Sequence, residues 1–518
     1  MIHRWRCTCI ACTTYLGTMA VFALANGNAV GEDADVRPPN VVFIAIDDMN
    51  DWTGFLNGHP QAVTPNLDAL AARGVNFTNA HCSAPACSPS RLSLLYGIEP
   101  FRSGLYPFYD HAKIPTSVLA ERTSLPEHFR RHGYRTFGAG KIFHGTRDRS
   151  LGWDDYHEPS DVKLHYDSAV GYQIDQSRKM AFCSTTNPPE EHPDHQVASY
   201  GIDIIGRSHD QPYFLAVGIV KPHLAFVCPD EFFDGIGPEI ESPNILATDL
   251  DDVPLAGRSM ASLRDDFRFR EDRAWNEVRR AYLACIRWAD HNIGRVIDAV
   301  GQSSDADNTI VVVWSDHGYH LGEKRSFRKF SLWEEATRVP LIIHDPRRPS
   351  GASGDCDQAV SLVHVYRTLC ELADLPIPET LDGVSLVPQL DDPSTPLNVP
   401  AITTWGRGNY AIRTDHFRYI RYFDGSEELY DTRSDPNQWN NLASHDEASP
   451  IIRRLRKHLP ENEAPLVRSG VTLWNVIDAD RPQRLESFRK KTWQPMLEKL
   501  QPDLLTAAEP APVSDLDP

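Results

Sequence analysis

Five short apolar runs constrain this chain more than anything else in its sequence: NVVFIAI (40–46), YRTFGAG (134–140), YFLAVGIV (213–220), TIVVVWS (309–315) and VPLIIHD (339–345). Each has the length of a strand, and the β-branched first and fourth runs have the continuous apolar character of strands buried on both faces. Amphipathic helices lie between them. Thr64-Pro65 opens NLDALAARG, where Leu67, Leu70 and Ala71 recur at helical spacing before Gly74. Tyr282, Ile286, Ala289, Ile293 and Val296 share one face of a helix over 281–299. Strands alternating with helices over roughly 350 residues predict an α/β fold, a large mixed but mostly parallel sheet sandwiched by helices.

The pattern changes at LDDPSTPLNVP (390–400), a Pro-rich polar link. Beyond it, AITTWGRGNYAIRTDHFRYIRYFDGSEELYD alternates apolar and polar residues and turns at Asp424-Gly425, which predicts a smaller antiparallel sheet. The expected organisation is a large domain over 36–392, a C-terminal subdomain over 393–504 and a disordered tail over 505–518. No internal repeat is visible.

At the N-terminus, Arg4 and Arg6 precede an apolar run that closes on Ala23-Leu24-Ala25, the pattern of a secretory signal peptide over 1–25. No later segment is long and apolar enough to span a membrane, so the expected product is an exported protein, periplasmic or secreted, with no membrane attachment after cleavage. Losing residues 1–25 removes two Arg and no acid, taking the formal charge from -19 to -21. So acidic a surface does not attract polyanions at long range, which argues against a nucleic-acid partner; an anionic substrate must be held by local cations. Seven cysteines remain: Cys82, Cys87, Cys183, Cys228, Cys285, Cys356 and Cys370. In an oxidising compartment six could pair, and the seventh needs a reason.

The chemistry gathers at strand ends. Asp47 and Asp48 follow the first run, and Asp316-His317-Gly318 follows TIVVVWS. Ligands of open α/β sheets sit at the carboxyl ends of strands, so two acidic ends facing one crevice suit a hard cation. Cys87 precedes Pro89 and the apolar Leu92, Leu94 and Leu95, which puts it at a helix N-terminus, a position that favours thiolate and bound anions. Arg91, one turn on, offers a cationic fork to the same point. Lys141 and His144 follow one strand in GKIFHG, and Lys221 and His223 follow another in VKPH. A lone His after a strand is more often structural than catalytic; two beside an acidic pair and an anion-favouring helix start reverse that expectation. Trp405 and Arg407 read as packing or surface residues, and the pocket walls are expected partly from loops such as 157–195.

The segment CSPSR resembles the C-x-P-x-R maturation signature of the type I, formylglycine-dependent sulfatases of the alkaline phosphatase superfamily, at Cys87, Pro89 and Arg91. NVVFIAIDDMND, TPNLDALAARGVNFTNAHC, GKIFHG, KPH, SDHGYHLGE, LDGVSLVP and EELYDTRSDPNQWNNLA are similar to blocks of that family in the same order, over about residues 38 to 445. The pattern most resembles the iduronate-2-sulfatase branch, which suggests glycosaminoglycan-type substrates and, in a eukaryote, a lysosomal location. The resemblance implies that a separate maturation enzyme oxidises Cys87 to Cα-formylglycine, whose hydrate is the nucleophile, and that 36–392 is the catalytic domain. It further implies that Asp47, Asp48, Asp316 and His317, with an oxygen of residue 87, hold one Ca2+. Arg91 and Lys141 would orient the diol, His144 would take its second proton, and His223 would protonate the leaving oxygen. Lys329 would touch the sulfate, with Lys324 as the alternative.

Three departures from the family pattern stand out. His317 replaces an Asn common among relatives and could contact sulfate instead of metal. Tyr96 replaces the usual Thr of LLTG, and Asn50 stands where many relatives have Arg. Two rival readings are a phosphodiesterase or phosphonate monoester hydrolase of the same superfamily, and a non-catalytic glycan-binding protein that keeps the Cys87 thiol.

Overall fold

The computed structural model describes residues 37–109, 113–144, 152–160, 162, 164–165, 172–173, 179–271, 274–348, 353–473 and 476–500. The expected signal peptide (1–25) and tail (505–518) lie outside these residues, as does part of the loop 157–195. At the centre is an eight-stranded sheet built from β1 (Asn40–Asp47), β2 (Val75–Phe77), β3 (Arg135–Gly140), β4 (Asp155–His157), β5 (Tyr213–Pro222), β6 (Thr309–Ser315), β7 (Leu341–His344) and β8 (Gly354–Cys356). Its order is β8-β2-β7-β6-β1-β5-β3-β4. Every pairing is parallel except the two made by β7, which runs against β6 and β2. The sheet is therefore mixed and mostly parallel, as the alternation of runs and helices predicts.

The apolar runs become central strands because both of their faces are covered. Val42, Ile44 and Ile46 of β1 pack with helices α1 (Pro65–Ala71), α3 (Pro193–Ile205) and α4 (Trp275–Gln302), through Leu67, Val197 and Ile286 among others. Val41, Phe43 and Ala45 point the other way, onto Leu92, Leu94 and Leu95 of α2 (Cys87–Tyr96). Each such side chain contributes roughly 1.5–3 kcal/mol by leaving water, enough to anchor a sheet whose end carries buried charges. α4 extends the expected 281–299 helix by several residues at each end.

A separate four-stranded antiparallel sheet follows, in the order β9 (Ala401–Thr404), β10 (Tyr410–Arg413), β11 (Phe417–Arg421) and β12 (Glu427–Asp431). It grips the segment before β7. Arg418 donates to the Glu334 carboxylate at 2.5 Å and to the Leu332 carbonyl at 2.7 Å, while the Trp333 indole donates to Glu428 at 2.9 Å. No described helix is long and apolar enough to cross a membrane. All seven cysteines expected to remain after signal cleavage carry no disulfide. Most are built into the two faces of the core, Cys228 and Cys285 on one and Cys82, Cys356 and Cys370 on the other. Counting thiols therefore does not single out Cys87; its position does.

Candidate active site

Strand register assembles the site. Opposite β1, Ile46 pairs with Ser315 of β6 and Asp47 with Pro222 of β5, so Asp316, His317 and His223 emerge at the same edge as Asp47 and Asp48. Gly140 of β3 pairs with Gly218 of β5, which brings in Lys141. Residue 218 must be glycine for this, because a Cβ there would lie 2.3 Å from the Lys141 carbonyl carbon. Asp48 has a left-handed backbone, φ 65, unusual away from glycine. Its amide donates to Asp316 Oδ1 at 3.2 Å and its carbonyl accepts from the Tyr282 hydroxyl at 2.7 Å. Such a conformation persists only where its surroundings hold it.

Cys87 is the first residue of α2, after Ala86 in extended conformation. Its Sγ lies 3.2 Å from His317 Nε2 and 3.1 Å from Lys329 Nζ. One turn on, the fully buried Arg91 donates through Nε to Asp316 Oδ2 at 2.6 Å, through Nη1 to the carbonyls of Lys141 and Ile142, and through Nη2 to that of Ile46. It thereby ties α2 to three strand ends. Ser90 donates to the Asp316 carbonyl at 2.5 Å and completes the seam.

The charges compensate one another. Burial alone would raise the Asp47 pKa, but Lys141, then His223, Arg91 and Lys329, hold it well below the usual carboxylate range. Asp48 is lowered too: burial opposes ionisation and is outweighed by Lys329 and then His223, with His317 also helping. Lys141 is ion-paired to Asp47. Burial disfavours the Lys329 ammonium, yet Asp48 and then Cys87 raise its pKa above the ordinary lysine value. His144 goes the opposite way, down to about 3, through burial and then Lys141. His317 is lowered by burial, with Asp316 opposing.

Asp47, Asp48, Cys87 and His317 each offer a ligand atom, all within 4.8 Å of one another. Asp47 Oδ1 and Asp48 Oδ2 are buried and accept no hydrogen bond; Arg91 Nη2 lies 3.8 Å from Asp47 Oδ1, beyond hydrogen-bond reach. Two such orphaned carboxylate oxygens fit a divalent cation that takes oxygen ligands. Asp316 lies at the rim of this set, with Oδ1 3.4 Å from His317 Nε2 and Oδ2 engaged by Arg91.

The expected residues thus converge, with Lys329 distinguished from Lys324. The latter is buried elsewhere, against Asp249 and the Gln438 carbonyl. His144 stands beside Phe108, ring centroids 5.1 Å apart. His223 Nδ1 is 2.7 Å from the Leu224 carbonyl. Asn50 serves as a loop tie, donating to the Tyr319 carbonyl at 3.0 Å. Tyr96 is buried next to Phe143. Tyr282 and Ser90 were missed as site residues. Tyr282 is hidden in the apolar stripe of α4, although a hydroxyl in such a stripe needs a polar partner and signals one.

Acids and bases thus gather at the carboxyl ends of the strands, where open α/β sheets bind their ligands. A phosphonate monoester hydrolase of Agrobacterium radiobacter shares the fold with a TM-score of 0.66 at 21% identity, over 81% of this chain and 96% of that one. Among curated proteins, a sulfatase of Formosa agariphila is 37% identical over 83% of this chain and 88% of its own length. Mouse iduronate 2-sulfatase is 26% identical, over 84% of this chain and 96% of its own. The sulfatase family model matches residues 39–375, and a model for the C-terminal region of N-sulphoglucosamine sulphohydrolase matches 322–464. The chain belongs to the sulfatase family, hydrolases of sulfate esters.

Proposed function

We propose that this sulfatase removes sulfate from a sulfated carbohydrate, with residue 87 working as Cα-formylglycine and one Ca2+ held by Asp47, Asp48, Asp316, His317 and an oxygen of residue 87. The observation that carries the reading is the pair of buried carboxylates, each with an oxygen that accepts no hydrogen bond, around the first residue of α2. Once formed from Cys87, the hydrated aldehyde supplies a hydroxyl to attack sulfur and a second whose deprotonation releases sulfate. Held by these residues, Ca2+ would neutralise sulfate oxygens and make the attacking hydroxyl more acidic.

The remaining roles belong to the side chains. Lys329, 3.1 Å from Cys87 Sγ, places its ammonium where a sulfate oxygen sits during attack. Arg91 uses its donors on protein groups, so it holds Asp316 and balances charge, with Lys141 doing the same at Asp47. His144 is neutral at physiological pH and can accept the second hydroxyl proton. His223 turns Nδ1 to the Leu224 carbonyl, leaving Nε2 to deliver a proton to the departing alcohol oxygen. The likeness to mouse iduronate 2-sulfatase supports a carbohydrate substrate. Export after signal cleavage and conversion by a formylglycine-generating enzyme belong to the same reading, as does a catalytic domain over 36–392 with a subdomain over 393–504.

Mass spectrometry of the Cys87 peptide, from protein purified from its native host, tests the reading. An aldehyde in place of the thiol is expected. An unmodified thiol in folded, exported protein overturns the mechanism and leaves a glycan-binding protein.

A further inference from the structure

Beside Lys329 lies a pocket of about 140 Å³, walled by Met260, Phe330, Trp405 and Ile477. Lys329 belongs both to this lining and to the site, since its Nζ touches Cys87 Sγ and Asp48. The alcohol part of an ester whose sulfur sits at residue 87 therefore has this pocket next to it. Phe330 and Trp405 are stacked, centroids 5.4 Å apart and planes at 18°. Phe108 meets Phe330 edge-on at 5.9 Å and His144 meets Phe108 at 5.1 Å, so aromatic surface runs from the His144 side of the site into the pocket.

The walls are fixed. Asn409, fully buried, donates from one Nδ2 to the carbonyls of Trp405 at 2.9 Å and Ile477 at 3.1 Å. Ser262 accepts from the Phe327 amide at 2.9 Å, which ties the loop bearing Met260 to the segment bearing Lys329. A rigid aromatic wall is the surface on which the C–H face of a pyranose ring packs while its hydroxyls stay at the rim. The volume of about 140 Å³ is well below the roughly 300–1,000 Å³ of pockets for drug-sized ligands, and suits one ring rather than several.

We propose that this pocket is the subsite for the sugar ring bearing the scissile sulfate, with Trp405 and Phe330 as its specificity-determining wall. The inference rests on the sulfatase reaction proposed above and names where that reaction's substrate is recognised.

The test uses matured full-length enzyme and Trp405→Ala, Trp405→Phe and Phe330→Leu variants, assayed on the 6-sulfates of galactose, glucose and N-acetylglucosamine, on iduronate 2-sulfate and on p-nitrophenyl sulfate. For a sugar that the parent enzyme hydrolyses, Trp405→Ala should raise KM roughly tenfold or more and change kcat by less than about threefold, with Trp405→Phe recovering most of the loss. Should Trp405→Ala fail to fold, Phe330→Leu decides, since it keeps an apolar side chain and removes the ring. An unchanged KM in folded variants overturns the proposal. Turnover of p-nitrophenyl sulfate without turnover of any sugar also overturns it and leaves the sulfatase reading standing; no turnover of any ester sinks both.

Discussion

Lys329 Nζ lies 2.5 Å from Asp48 Oδ1, and the same ammonium reaches Cys87 Sγ at 3.1 Å. A cation so placed is held by a carboxylate of the proposed metal cluster and presented to the proposed nucleophile at once. Lys329→Ala should lower kcat by about 10²–10³, the usual cost of removing one preorganised charge stabiliser. Lys324→Met should behave otherwise. It strands Asp249, a partner at 2.5 Å in the interior, and should cost roughly 3–5 kcal/mol of stability. Steady-state kinetics and thermal melts on both variants separate the two; equal kinetic defects would refute the assignment.

The carboxylates make a second prediction. Without a divalent cation, Asp47 and Asp48 face one another's charge in the interior, compensated chiefly by Lys141, Lys329, Arg91 and the neighbouring histidines. Chelation should lower the thermal midpoint, and added Ca2+ should restore it by about 2.7 kcal/mol at a hundredfold excess over Kd. Asp47→Asn should abolish the Ca2+-dependent shift. A midpoint indifferent to Ca2+ in the parent protein would remove calcium from the scheme.

His144 carries a third. Burial, with Lys141 second, pushes its pKa down to about 3, so it stays unprotonated and able to accept a proton down to mildly acidic pH. The parent enzyme should show no loss of kcat from this group between pH 7 and about 5. His144→Ala should lower kcat by about 10²–10⁴, and rapid-quench kinetics should show a burst of alcohol followed by slow sulfate release. Alcohol and sulfate appearing together at the reduced rate would place His144 before, not after, cleavage of the ester.

Particular elements explain what could be read in advance. β1 and β6 were legible because burial on both faces demands an unbroken apolar run, and their acidic ends located the site before any geometry did. β2, β4 and β8 were not, since three residues are too few to show alternation. The reversed course of β7 was hidden as well, because a strand's direction is set by the connection before it and not by its own side chains. Between Lys324 and Lys329, spacing could favour but not fix a choice: Lys324, Arg325 and Phe330 all have positive φ, at 49, 54 and 78, and the turns they make determine which ammonium faces inward. Trp405 is buried in the apolar cluster, as its packing reading expects, and the pocket it also lines was hidden because its neighbours there, Met260 and Ile477, come from distant parts of the chain.

Glu323 and Glu335 supply the last prediction. Glu323 is buried, accepts the Leu321 amide at 2.6 Å and, through burial, has its pKa raised to about 7; burial and then Glu323 raise Glu335 to about 8. The unfolded chain releases these protons near the ordinary glutamate pKa of about 4.3. The folded protein therefore holds more protons from about pH 4.5 to 8, and its stability must fall as pH rises through that window and level off above it. Asp47 and Asp48, with lowered pKa values, act oppositely and at lower pH: their contribution is lost only as the solution becomes strongly acidic. Glu323→Gln keeps the shape and removes the titration. Its denaturation free energy should be flatter than the parent's between pH 5 and 8, with a difference on the order of 1–3 kcal/mol accumulating toward pH 8 in the variant's favour. Urea denaturation at pH 5, 6, 7 and 8 measures it, and parallel curves for the two proteins would show that Glu323 is already ionised at pH 5.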